Sequence, residues 1–225
     1  MGQTLTLTSA DGFQLGAYRA DPDGTPKGAV VVIQEIFGVN SHIRSVVDGY
    51  AAAGYVAIAP ALFDRIEPGI ELGYEGDDIT KGIDLARGRT DTDKALDDVR
   101  AAAAQVAAAG KVGVVGYCWG GLLTALAAIR LGDVFAAGAS YYGGGTPTLA
   151  GQTPVVPLVM HYGEQDHAIP LAEVETLRAS WPAVTFHIYE AGHGFNCEQR
   201  GSYDAAASAL ARERTLAFFG QHLAG

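Results

Sequence analysis

Hydrophobic and polar positions change rhythm early in the chain. Over residues 3–8 and 13–19 they alternate, with Leu5 and Leu7 set between polar neighbours and the Asp11-Gly12 turn signal in between. That rhythm predicts an antiparallel hairpin with one face buried. Beyond it the apolar runs become continuous, at 29–34, 55–59, 111–117, 135–142, 155–162 and 184–189. Stretches of helical character separate them, near 42–53, 92–109, 119–131, 170–180 and 202–221. Strands apolar at every position are buried on both faces, as in a parallel sheet covered by helices. The order predicts a single α/β domain over 1–225, with a mostly parallel central sheet, an antiparallel N-terminal strand and helices on both faces.

Residues 60–90 fit this plan least. Pro60, Pro68 and several glycines interrupt any 3.6-residue period, so an irregular excursion is expected, with a solvated tip at Glu75, Asp77 and Asp78. Long excursions at strand ends often serve a site.

Composition narrows the class of function. The 225 residues carry 15 Lys and Arg against 25 Asp and Glu, a formal charge of −10, and 48% are hydrophobic. Such a chain can fill a large core, and its acidity disfavours nucleic acid or an anionic membrane as partner, since both select clustered cations. Two cysteines exclude a disulfide framework and favour a reducing compartment. No basic region precedes an apolar run at the N-terminus, and no apolar stretch reaches the roughly 20 residues of a membrane span. Gly2 with Thr6 matches a loose acylation pattern, but the alternation of Leu5 and Leu7 reads as strand. A cytoplasmic protein is expected, as a monomer or small homo-oligomer.

The sharpest chemical signal is Gly116-Tyr117-Cys118-Trp119-Gly120-Gly121, at the end of an apolar strand and the start of a helix. It has the form of a nucleophile elbow, with cysteine where most hydrolases carry serine. Glycines permit the tight turn, and the amide of Trp119 at the helix start can bind an oxyanion. The alternative is a buried structural cysteine in a glycine-rich packing turn. Two later loops decide between them. Asp166 follows the strand at 155–162 and His193 follows the strand at 184–189, so nucleophile, acid and histidine occur in the order this fold uses. All three fall at carboxyl ends of strands, where open α/β sheets place their sites. His193 can take the thiol proton and Asp166 can orient the ring, with Glu164 as the substitute acid.

With these residues in view, the chain resembles the dienelactone hydrolase family, cysteine hydrolases of the α/β-hydrolase fold. The resemblance runs from about residue 12 to the C-terminus. It rests on Gln34-Glu35-Ile36-Phe37-Gly38, the Cys118 elbow, Tyr141-Tyr142-Gly143, Gly163-Glu164-Gln165-Asp166 and Gly192-His193-Gly194-Phe195. By itself Glu35 reads as an acid at a helix entry. The resemblance implies a larger part, in which Glu35 is displaced as substrate enters and helps form the Cys118 thiolate. It also implies that the amide of Ile36 is the second oxyanion donor, that Arg65 binds a substrate carboxylate and that Tyr141 lines the pocket. A second carboxylate-binding arginine normally lies four residues after the histidine. Cys197 stands there instead, and Arg200 is the nearest candidate.

The implied activity is cleavage of an ester or lactone through a Cys-His-Asp triad and a thioester, on a small carboxylate-bearing dienelactone. A carboxylesterase for neutral esters and a non-catalytic thiol-containing binding protein are the rival readings. His161, His167 and His187 follow no ligand spacing, so no metal is expected, and His42 reads as part of the first helix. No glycine-rich phosphate loop is present and no cofactor is expected.

Overall fold

The structure is a computed structural model that describes residues 2–224. Eight strands form one sheet: β1 (Gln3–Thr8), β2 (Gln14–Ala20), β3 (Ala29–Ile33), β4 (Val56–Pro60), β5 (Val112–Tyr117), β6 (Ala137–Tyr141), β7 (Leu158–Gly163) and β8 (Thr185–Tyr189). Their spatial order is β1-β2-β4-β3-β5-β6-β7-β8. β1 and β2 pair antiparallel, as do β2 and β4, and every other pair is parallel. This is the mostly parallel sheet with an antiparallel N-terminal edge that the rhythm of the sequence predicts.

Six α-helices connect or flank the strands: α1 (Ser41–Ala52), α2 (Asp77–Ile83), α3 (Thr92–Val106), α4 (Trp119–Arg130), α5 (Leu171–Ser180) and α6 (Ala205–Leu223). Every residue of β3, β4, β5, β6 and β7 is buried. Burial on both faces follows from helices on both faces, and β5 shows which ones. A Cβ at Gly113 would meet Phe219 and Leu223 of α6, whereas one at Gly116 would meet Gly120 and Thr124 of α4. Side chains alternate along a strand, so positions three apart face opposite ways and the two helices cover opposite faces.

The excursion at 60–90 is more ordered than its glycines and prolines suggest. It holds a 3₁₀ turn at Leu62–Arg65, helix α2 and a π-helical turn at Asp84–Arg89. Gly76 takes a left-handed φ of 55° before α2, and Asp77 and Asp78 occupy the first turn, where the helix dipole favours carboxylates. The acidic run is therefore a helix start. Gly82 of α2 lies against the Ile36 carbonyl so closely that any Cβ would collide with it. The excursion thereby packs over the loop that leaves β3.

Candidate active site

The elbow after β5 is shaped by close approaches of backbone. A Cβ at Gly116 would strike the Gly120 carbonyl, and one at Gly120 would strike the carbonyls of Ile33 and Gln34. Glycine at both positions lets α4 start against the end of β3. Cys118 then sits at φ 54°, a left-handed conformation that L-residues avoid and that catalytic turns retain. Its amide is bonded to the Tyr141 carbonyl of β6 at 3.0 Å, which anchors the strained residue to the next strand. Trp119 opens α4, so its amide has no intrahelical partner.

Parallel pairing carries the other groups to the same edge. β3 and β5 are in register through Ile33 and Gly116, which sets the Gln34–Ile36 loop beside the elbow. β7 and β8 pair through Gly163 and Tyr189, and the amides of Glu164 and Gln165 bond the carbonyls of Tyr189 and Ala191. The loops bearing Asp166 and His193 are tied together in this way. His193 Nε2 lies 3.2 Å from Cys118 Sγ, and His193 Nδ1 lies 2.7 Å from Asp166 Oδ2. Asp166 Oδ1 accepts from the amides of Ala168 and Ile169 at 2.8 and 3.1 Å. Glu164 is exposed, and the carboxylate bonded to the ring is that of Asp166.

Burial alone favours a neutral His193 ring, but bonds to Asp166 and Cys118 together with their charges outweigh it and raise its pKa from 6.5 to about 10. Both neighbours thus favour the protonated ring, the state it reaches on taking the thiol proton. Cys118 itself is 7% exposed. A cleft of about 630 Å³ opens at His193 and Arg200 and is lined by Gln165, Ser202 and Tyr203, stopping short of Cys118.

Glu35 is buried, with Arg200 Nη1 3.5 Å from its Oε1 and no hydrogen bond to either oxygen. The Arg200 guanidinium also lies over the rings of Phe37 and Tyr74. Arg200, three residues after Cys197, is thus set beside Glu35.

Two of the expected substrate contacts lie against protein groups in the structure. Arg65, expected to meet a substrate carboxylate, is bound through Nε and Nη2 to both oxygens of Asp98 at 2.7 Å, and to Asp11 at 2.9 and 3.1 Å. Its guanidinium lies over Phe13, and Asp98 is wholly buried. A charge buried on α3 demands a cation, and Arg65 supplies it, so its fork is filled by the protein. Tyr141, expected to line the pocket, shares a hydrogen bond of 2.7 Å between its hydroxyl and that of Thr215 of α6. Thr215 in turn bonds His161, forming a buried chain under the sheet.

Its neighbour Tyr142 is the tyrosine at the site. It leaves β6 at φ 36° and packs edge-on against His193 with ring centroids 5.2 Å apart. Its hydroxyl is buried without a partner, and burial, then the nearby charges of Glu35, Cys197 and Cys118, push its pKa well above 10. Alternation along β6 already assigns adjacent tyrosines to opposite faces, which is the signal that separates them. His42 lies on α1, as the helical pattern predicts, yet its ring is buried beside Glu35 and Cys197.

Comparison with known proteins identifies the family and the fold. A model of the dienelactone hydrolase family matches residues 15–223. The carboxymethylenebutenolidase of Pseudomonas putida is 35% identical, the match covering 95% of this chain and 94% of the relative. Carboxymethylenebutenolidase 1 of Cupriavidus pinatubonensis is 31% identical over 94% of each chain. A Klebsiella pneumoniae protein of known structure superposes with a TM-score of 0.87 at 29% identity over 99% of both chains. The Pyrococcus furiosus esterase Pf2001, at 13% identity and a TM-score of 0.71, shares the fold over 99% of this chain and 93% of its own.

Proposed function

The chain belongs to the dienelactone hydrolase family and is a carboxylic ester hydrolase of the α/β-hydrolase fold, and on that premise we propose that it opens esters or lactones by acyl transfer to Cys118. The observation that carries the reading is the continuous chain from Cys118 through His193 to Asp166. His193 takes the thiol proton, and the sulfur forms a bond to the substrate carbonyl carbon. The carbonyl oxygen gains the electron pair and is held by the amides of Trp119 and Ile36. As the tetrahedral centre collapses, the carbon–oxygen bond to the leaving group breaks and His193 returns the proton to that oxygen. In a lactone the leaving oxygen stays tethered to the acyl group. Water, losing its proton to His193, then cleaves the thioester and restores the thiol.

Asp166 keeps the ring turned to the sulfur and stabilises the imidazolium. Glu35, its carboxylate beside Arg200 and without a hydrogen bond, moves when a substrate enters and assists formation of the thiolate. With Arg65 bound to Asp98 and Asp11, recognition of a substrate carboxylate falls to Arg200, a guanidinium at the cleft. The filled fork of Arg65 also favours a second reading, a carboxylesterase for neutral esters.

Hydrolysis of a dienelactone and of a neutral aryl ester of similar size, by wild type and Cys118→Ala, tests both. Turnover that needs Cys118 and favours the anionic lactone supports the first reading. Turnover that needs Cys118 but prefers the neutral ester supports the second, and full activity in Cys118→Ala overturns the nucleophile.

A further inference from the structure

Behind the elbow lies a second group of a thiol, an imidazole and a carboxylate that the reaction above does not use as a unit. Glu35 comes from the loop after β3, His42 from the first turn of α1 and Cys197 from the loop after His193. One donor atom from each lies within 4.8 Å of the other two, and all three residues are at most 1% exposed. We propose that Glu35, His42 and Cys197 form a binding site for a divalent cation of the zinc class.

The first support is the state of the polar atoms. Both carboxylate oxygens of Glu35 and both ring nitrogens of His42 are buried without a hydrogen bond. A buried polar group without a partner is costly, so two such side chains, each with a donor atom within 4.8 Å of the Cys197 sulfur and of the other, call for an occupant. The neighbours do not supply one. Arg200 Nη1 stops 3.5 Å from Glu35 Oε1, and Glu198 Oε2, half-exposed, lies 3.2 Å from His42 Nδ1 without the alignment of a hydrogen bond.

The donor set chooses the ion. Thiolate and imidazole suit zinc and its transition-metal neighbours, whereas magnesium and calcium take oxygen ligands. Zinc bonds of about 2.0–2.3 Å place tetrahedral ligand atoms about 3.3–3.8 Å apart, so the cluster need contract by no more than about 1.5 Å. Rotation about the side-chain bonds of Glu35 and Cys197 provides that movement. Three protein ligands leave the fourth position open, as in zinc sites that keep a water. Glu198 beside the His42 ring is the kind of outer carboxylate that orients a metal-bound imidazole. On binding, the Cys197 proton passes to solvent and the sulfur pair is shared with the ion. Thiolate and carboxylate together balance its two positive charges, and Arg200, with 21% of its side chain exposed, can turn toward the cleft.

The site reaches into catalysis through Glu35. A carboxylate held by a metal ion cannot assist Cys118, so occupancy suppresses hydrolysis; this consequence rests on the part assigned to Glu35 above, while the site itself does not.

Cobalt(II) titrated into metal-free Cys118→Ala tests the site with the other thiol removed. One equivalent should bind with a thiolate-to-cobalt charge-transfer band and the strong visible bands of tetrahedral cobalt, and Zn²⁺ should displace it. The charge-transfer band should vanish when Cys197→Ser is added, and His42→Gln should weaken binding by at least about ten-fold. No charge-transfer band, or a band that survives Cys197→Ser, overturns the proposal. Inhibition of the wild-type enzyme by Zn²⁺ should be about ten-fold weaker in Cys197→Ser. Cobalt binding in the spectra with equal inhibition of both enzymes overturns the link to Glu35 alone.

Discussion

Cys118, His193 and Asp166 on one side, and Cys197, His42 and Glu35 on the other, are two sets of the same three chemical groups in one chain. In the first set the polar atoms are linked in sequence: backbone amides hold Asp166, Asp166 holds His193 and His193 meets the sulfur. In the second, the side chains of Glu35 and His42 make no hydrogen bond. The linked set fixes one ring orientation and gives a proton a defined path, which is what nucleophilic catalysis requires. The second set leaves the polar atoms of Glu35 and His42 unpaired beside the Cys197 sulfur, which is what ligation requires. Their electrostatics diverge accordingly. Asp166 and Cys118 raise the pKa of His193 to about 10 against the effect of burial, while burial and then Glu35 push the Cys197 thiol up to about 11. Composition is shared, and wiring distinguishes the two.

The largest expected effect breaks the linked set. Asp166→Asn should lower kcat roughly 10³-fold by releasing the His193 ring, with little change in fold. Glu164→Gln, which alters an exposed carboxylate off the ring, should change kcat by less than about three-fold. Steady-state kinetics on a dienelactone check both, and the reverse ranking would transfer the acid role to Glu164.

Next comes the contrast between the arginines. Arg65→Ala should cost about 3 kcal/mol in urea unfolding, because Asp98 is left as an uncompensated buried charge, with KM for anionic and neutral substrates moving together. Arg200→Ala should instead raise KM for a carboxylate-bearing substrate about ten-fold relative to a neutral ester, the loss of one charge-assisted contact. A selective KM effect in Arg65→Ala would return the substrate carboxylate to that residue.

The smallest effect is a slope. His193 binds its proton more tightly folded than unfolded, so the stability it contributes is complete below pH 6.5 and is lost as pH rises toward about 10. The stability difference between wild type and His193→Gln, from urea unfolding, should therefore shrink across that window. A difference that grows with pH would show that the folded protein lowers this pKa.

The meeting of Cys118, His193 and Asp166 was legible in the chain because each follows from local rules. A glycine-flanked residue between an apolar strand and a helix, and two polar residues just past later apolar strands, must share one edge of a parallel sheet. Arg65 and Tyr141 illustrate where that logic stops. A family pattern can assign an arginine to a substrate, but whether its fork is free depends on Asp98, 33 residues away on α3. Tyr141 and Tyr142 are adjacent in the chain, and the pleat together with the turn after β6 sends one hydroxyl to Thr215 and the other ring to His193. Helix α2 was hidden for another reason. Its seven residues show too short a stretch of period to stand out among glycines, and its acidic start imitates a solvated loop.

By itself the sequence determined a mostly parallel sheet with an antiparallel N-terminal edge and the side of it on which Cys118, Asp166 and His193 fall. These rest on periodicity and on short turns, both local in the chain. Only the tertiary structure decided which arginine is spoken for, which tyrosine meets the site and that Glu35, His42 and Cys197 converge. Those outcomes depend on long-range packing: the ligand atoms of residues 35, 42 and 197 approach because β3, α1 and the loop after β8 end at the same place, and no spacing along the chain encodes that meeting.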